Sequence, residues 1–206
     1  RDWVNWCWLS GDHIAEQHIH NIDTMNWFFD AHPLKAVGFG GRHRRPTGDQ
    51  YDFFSVDFVY EGDRHLHSMC RQINGTHSNV SNRIVGTQGV TNCRNTVLDH
   101  DQNTKWQYEY PEGVESVPWG AGTGEVAVSP YVQEHIDMVT NIRRGTPIVE
   151  SIGAAESTLT AIMGRVSAYT GKEVTWEEMM NSDIALGPSS YEFGLVGEVD
   201  KTIPVP

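Results

Sequence analysis

The segment from Gly11 to Asp30, GDHIAEQHIHNIDTMNWFFD, is where this chain concentrates side chains able to move protons. His13, Glu16, His20, Asp23 and Trp27 stand at i, i+3, i+7, i+10 and i+14. On a single helix those positions share one arc. His20 is the candidate general base, because an ordinary imidazole titrates close enough to neutrality to take and return a proton. Glu16 lies one turn earlier, where a carboxylate can orient the imidazole and stabilise its charged form. Asp23, one turn later, can hold that geometry or bind a substrate hydroxyl, and His13 extends the polar stripe at its start. The competing reading is plain: a Glu-His pair at i, i+4 is more often a solvated surface pair.

Metal binding is the rival chemistry. His13, His18, His20 and Glu16 supply enough nitrogen and oxygen for zinc. But His18 projects toward the apolar side of the helix, and the HExxH spacing is absent, since Glu16 precedes its histidines in EQHIH. We therefore expect no metal and read His18 as a hydrogen-bonded core residue. Arg71, Gln72 and His77 could project from the following sheet toward the same cleft as substrate-binding groups; ordinary sheet-surface polarity is the alternative. Arg42, Arg44 and Arg45 form a local basic patch, read as a solvated loop or, more sharply, as an anion or subunit contact. Gly120, Gly122 and Gly124 lack the GxGxxG spacing and follow Pro118 and Trp119 instead of a buried strand, which argues against a phosphate loop.

The elements that must position these groups follow from periodicity. Ile14, Ile19, Ile22, Met25 and Phe29 oppose the polar stripe, so a helix over residues 11–30 can bury one face and present the other. Asp30 to Pro33 ends it. Leu34–Phe39 reads as a strand. Phe54, Val56, Phe58 and Tyr60 alternate with Ser55, Asp57 and Val59 in a second, and a turn at 61–63 leads to a third over 64–72. Short strands are expected at 80–86, 89–92, 96–100 and 105–110. Helices are expected from Pro130 to Arg144 and from Ser151 to Tyr169, with a capping box at Thr175–Glu178 opening a third. Residues 187–206 read as an extended arm. This order predicts an α+β fold: one domain over 1–206 with an open, mainly antiparallel sheet and helices on one face.

Composition narrows the function classes. Hydrophobic residues make up 38% and the formal net charge is -12. The first is enough for a packed core, and the second argues against nucleic acid and against anionic membrane surfaces as partners. No apolar run is long enough to span a bilayer. Three cysteines without a CxxC pair read as free thiols. The chain begins at Arg1 inside a Trp-rich segment, and is read as a fragment whose N-terminal part is missing.

The pattern Gly11, Glu16, His20, Asp23 resembles the catalytic-helix motif GG-x-x-x-D-x-x-x-H-x-x-D of the glucose–fructose oxidoreductase/inositol dehydrogenase/rhizopine-catabolism (Gfo/Idh/MocA) family. Ser10 stands for the first Gly, and Glu16 for the usual Asp. WLSGDHIAEQHIHNID, SMCRQI (68–73), VGTQG (85–89) and ESTLTAIMGRVSAYTGKEVTW (156–176) are similar to a bacterial subgroup of that family. The resemblance extends to the C-terminal domain only. It implies an NAD- or NADP-binding Rossmann domain, and the EKP lysine with it, in an absent N-terminal part. It also implies a sugar or polyol substrate, with His20 taking the hydroxyl proton and Glu16 orienting it. A homo-oligomer formed through the open sheet is a further implication. An export signal in relatives points to the periplasm, with the cytoplasm otherwise. Some members use the same redox step to cleave glycosides, so an NAD-dependent glycosidase acting through a keto-sugar stays open. So does a non-catalytic oligomerisation or sugar-binding domain.

Overall fold

The computed structural model describes residues 3–93, 95–109, 130–187 and 191. After a 3-10 turn at Trp3–Asn5, the elements in chain order are α1 (Cys7–Ser10), α2 (His13–Glu16), α3 (Ile19–Phe29), β1 (Lys35–Gly41), β2 (Phe53–Tyr60), β3 (Arg64–Arg71), β4 (Ile84–Gly86), β5 (Gly89–Thr91), β6 (Thr96–Leu98), β7 (Thr104–Gln107), α4 (Pro130–Arg144), α5 (Ser151–Thr170), β8 (Val174–Thr175) and α6 (Trp176–Met180). They gather into two compact units, residues 1–78 with 151–206 and residues 79–150. The fold is α+β, and all strand pairings among the described residues are antiparallel.

The first unit is built on a four-stranded sheet in the order β3-β2-β1-β8. The period-2 pattern of β2 does what the sequence predicts: Phe54, Val56, Phe58 and Tyr60 are buried while Ser55, Asp57 and Val59 are half-exposed. Helix α5 lies across the buried face, and the approach is close. A Cβ on Gly164 would stand 2.6 Å from Phe58 Cζ, and one on Gly38 of β1 would stand 2.9 Å from a Val56 methyl. Only Lys35 and Ala36 of β1 pair with β8. Farther along, the Gly38 amide donates instead to Ser167 Oγ of α5 at 2.8 Å, which keeps a buried donor satisfied. On the opposite face no helix among the described residues of this unit covers the sheet, and Val37, Phe39 and Met69 are exposed. The capping box forms as expected: Thr175 Oγ accepts from the Glu178 amide, and the Thr175 amide donates to Glu178 Oε2.

The second unit contains a small sheet in the order β4-β5-β6-β7, and α4. The strand expected over 80–86 is confined to Ile84–Gly86, because its partner β5 offers only three residues to pair with. Helix α4 runs from Pro130 to Arg144 as expected, and Gly145 follows it at φ 74. The glycine loop at 120–124 lies outside the described residues.

Residues 11–30 do not form a single helix. Helix α2 ends at Glu16 and α3 begins at Ile19, with Gln17 and His18 between them. The His18 amide reaches back five residues to the His13 carbonyl, at 3.0 Å, so the turn is wider than α-helical. The cause lies across the fold: His18 Nε2 meets Ser68 Oγ of β3 at 2.7 Å, a contact between residues 50 apart in sequence.

Candidate active site

The break in the helix divides the expected stripe. His13 turns inward, 4% exposed, its ring 5.1 Å from that of Phe54. It therefore does not share an outward arc with Glu16 and His20. Glu16 is half-buried, and Gln17 Nε2 donates to its Oε1 at 2.9 Å. His20 is exposed in the first turn of α3. Asp23 is exposed as a residue, yet its Oδ1 accepts from Ser157 Oγ of α5 at 2.6 Å. Glu16, His20 and Asp23 thus remain the outward set.

What holds this outward set is a buried polar framework. Asp12 caps α2, accepting from the His13 amide at 2.7 Å, and is fully buried. Its other carboxylate oxygen accepts from the Tyr169 phenol at 2.6 Å. Burial works to raise the Asp12 pKa, but hydrogen bonds from His13 and Tyr169 outweigh it and hold the carboxyl below its ordinary range. The same burial, with the Asp12 charge beside it, pushes the Tyr169 phenol up, so it stays a donor. Burial and the Asp12 charge also push the Cys7 and Cys70 thiols up to about 12, which keeps them protonated and unreactive. Burial, then the charge of His13, brings His18 down to about 4, so His18 is neutral at physiological pH, in keeping with a core role.

A second link fixes α3 against α5 and the sheet. Tyr60 donates to Asn26 Oδ1 at 2.6 Å, and Asn26 Nδ2 donates to Thr160 Oγ1 at 3.0 Å and to Ser157 Oγ at 3.3 Å. Ser157 then reaches Asp23. Sequence reasoning named none of Asp12, Asn26, Tyr60, Ser157 or Tyr169 as site residues. Their shared signal is spatial, joining positions more than a hundred residues apart in most cases.

Arg71 and His77 are elsewhere. Along β3, Leu66, Ser68 and Cys70 face the helices, whereas Met69 and Arg71 belong to the exposed alternate set. Arg71 Nη2 donates to the His77 carbonyl at 2.9 Å, holding the loop after β3. This places Arg71 on the open face, away from the helical layer that carries Glu16 and His20. Two of the three arginines of the basic loop are also committed. Arg42 donates to the carbonyls of Arg45 and Gly48, and Arg45 to Gln72 and Asn5, while Asp52 accepts from the amides of His43, Arg44 and Arg45. Arg44 alone of the three is exposed.

The described residues offer no dinucleotide cradle: their strands pair antiparallel, and no glycine-rich strand-to-helix turn occurs among them. No three His, Cys, Asp or Glu side chains among them come together as metal ligands. A hollow of about 450 Å³ in the second unit, lined by Arg83, Asn92 and Gln102 among others, contains none of the candidate site residues.

The sequence profile of the GFO/IDH/MocA C-terminal domain matches residues 2–92, which include α1 to β3 and every candidate site residue. Over residues 2–92 the chain is similar to that family's C-terminal domain. No curated protein matches the chain. Among solved structures, it is similar to a levoglucosan dehydrogenase in complex with NADH and levoglucosan (18% identity, TM-score 0.60), covering 84% of this chain and 53% of that one. It is similar to myo-inositol 2-dehydrogenase from Lactobacillus plantarum (17% identity, TM-score 0.57, 81% and 49% covered). It is also similar to an oxidoreductase from Thermotoga maritima (13% identity, TM-score 0.60, 87% and 48% covered). The chain spans about half the length of these proteins.

Proposed function

We propose that this chain is the substrate-binding and catalytic half of an NAD(P)-dependent oxidoreductase acting on a sugar or polyol hydroxyl. The observation that carries the reading is the outward set on α2 and α3: a base, a carboxylate and a second carboxylate fixed by Ser157, within the segment matched by the family profile. His20 accepts the proton of the hydroxyl whose carbon is oxidised. Glu16 orients that imidazole and favours its charged form. Asp23, its Oδ1 already occupied by Ser157, has its other oxygen to accept a neighbouring substrate hydroxyl. NAD or NADP, held by an N-terminal domain of the longer protein, supplies the hydride acceptor.

The open sheet face is the proposed contact with a second copy of the chain, supported by exposed Val37, Phe39 and Met69 on a surface no helix covers among the described residues of its unit. Phe39→Asp then lowers the oligomeric state in sedimentation; an unchanged state excludes that face.

The catalytic reading is tested in the full-length protein by His20→Ala. A loss of about 10²–10⁴-fold in kcat/KM is expected, the usual weight of a general base. Turnover at the wild-type rate would overturn it. Net NADH accumulation distinguishes a dehydrogenase from a glycosidase that recycles its cofactor.

A further inference from the structure

We propose that Asp12 is a positioning residue for the catalytic pair, coupling Glu16 to the end of α5. This rests on the reading of Glu16 and His20 given above. Asp12 has φ 74 and ψ 162, a backbone state that favours glycine and that a side-chain-bearing residue keeps only when its surroundings over-determine it. Here they do. One carboxylate oxygen accepts from the His13 amide, and His13 Nδ1 lies 3.2 Å from it. The other accepts from Tyr169 at 2.6 Å and from the Tyr51 amide at 3.3 Å. The main-chain carbonyl of the same residue accepts from the Glu16 amide at 2.9 Å.

One residue is therefore bonded through its side chain to α5 and through its backbone to Glu16. The far end of the link is rigid. The Tyr169 ring stacks on Tyr51 at 3.9 Å and 12°, and the Tyr51 amide also donates to the Tyr169 hydroxyl at 3.1 Å. Helix α5 itself is locked on the sheet where Gly164 meets Phe58. The four residues of α2 have too few internal hydrogen bonds to fix their own direction. Their orientation, and that of Glu16 at their end, is set by the bonds to Asp12. A helix this short would otherwise re-aim Glu16 by small rotations, and displacements near 1 Å at a reacting centre cost on the order of 10²-fold in rate.

The test uses the full-length enzyme with its cofactor and a sugar it oxidises. Asp12→Asn keeps the shape and removes the charge. Asp12→Gly relieves the backbone and removes the carboxylate. Tyr169→Phe keeps the stacked ring and deletes one donor, so it serves if the first two fail to fold. Each is assayed well below its own unfolding midpoint. Expected for Asp12→Asn and Asp12→Gly is a fall in kcat of about 10²-fold with KM within about twofold; Tyr169→Phe falls in the same direction by less. A purely structural Asp12 would lower the unfolding midpoint and leave kcat of the folded enzyme unchanged, and that result overturns the proposal. His20→Ala, run alongside, separates the two levels. If it is slow while every folded Asp12 and Tyr169 variant has wild-type kcat, positioning alone is wrong. If it turns over at the wild-type rate, the catalytic reading fails and this proposal with it.

Discussion

Two polar sets share the segment from Asp12 to Asp23, and they are built differently. Asp12, His13 and His18 turn inward, packed or bonded to β3, α5 and the Phe54 ring. Glu16, His20 and Asp23 turn outward, and of these Asp23 is tied to α5, through Ser157. The inward set owes its worth to burial, where an unpaired polar atom is costly. The outward set lies nearer the surface, with His20 and Asp23 exposed and Glu16 half-buried, and it carries the chemistry proposed above.

That division can be broken from either side. The largest expected effect on stability is Asp12→Ala, which removes a helix cap and leaves the Tyr169 hydroxyl and the His13 amide without the buried carboxylate they donate to. Denaturant unfolding should show a loss on the order of 3 kcal/mol. A loss below about 0.5 kcal/mol, the range of ordinary surface changes, would mean the inward set is not structural. Next is Gly164→Ala, which drives a methyl into Phe58 and should cost about 1–3 kcal/mol by the same measurement.

His18 sharpens the contrast through pH. Its imidazole is neutral in the folded protein down to about pH 4, whereas in the unfolded chain it takes a proton near pH 6.5. Unfolded chains therefore bind more protons between those values. The contribution of His18 is fully present above about pH 6.5 and is lost progressively as pH falls toward 4. Melting temperatures across that window should fall less steeply in His18→Gln than in wild type; identical slopes would show that His18 is not buried neutral. Smaller still is Ser157→Ala, which removes the tie to Asp23 and should cost about 1 kcal/mol. Smallest is His20→Ala, expected to change unfolding free energy by no more than about 0.5 kcal/mol while abolishing most turnover.

The sequence is most informative where structure is local. The alternation through Phe54, Val56, Phe58 and Tyr60 reports a half-buried strand because each side chain's face is set by its immediate neighbours. Thr175 and Glu178 declare a helix start for the same reason. The helix break at His18 is not legible, since its cause is Ser68, on a strand that residues 11–30 say nothing about. Asp12 is not legible as the partner of Tyr169, 157 residues away. The face that Arg71 occupies is hidden too, because it depends on register, and a one-residue difference in phase reverses it. Glu16, His20 and Asp23 stand out as candidates by their spacing, and two helices carry them where periodicity predicts one.

The central claim is that His20 takes the substrate proton. Full-length His20→Gly, with added imidazole as a diffusible base, measures it most directly. The expected result is a loss of about 10²–10⁴-fold in kcat without imidazole, and a rate that climbs with imidazole concentration while the melting temperature stays at the wild-type value. A variant that turns over at the wild-type rate with no imidazole present would contradict it.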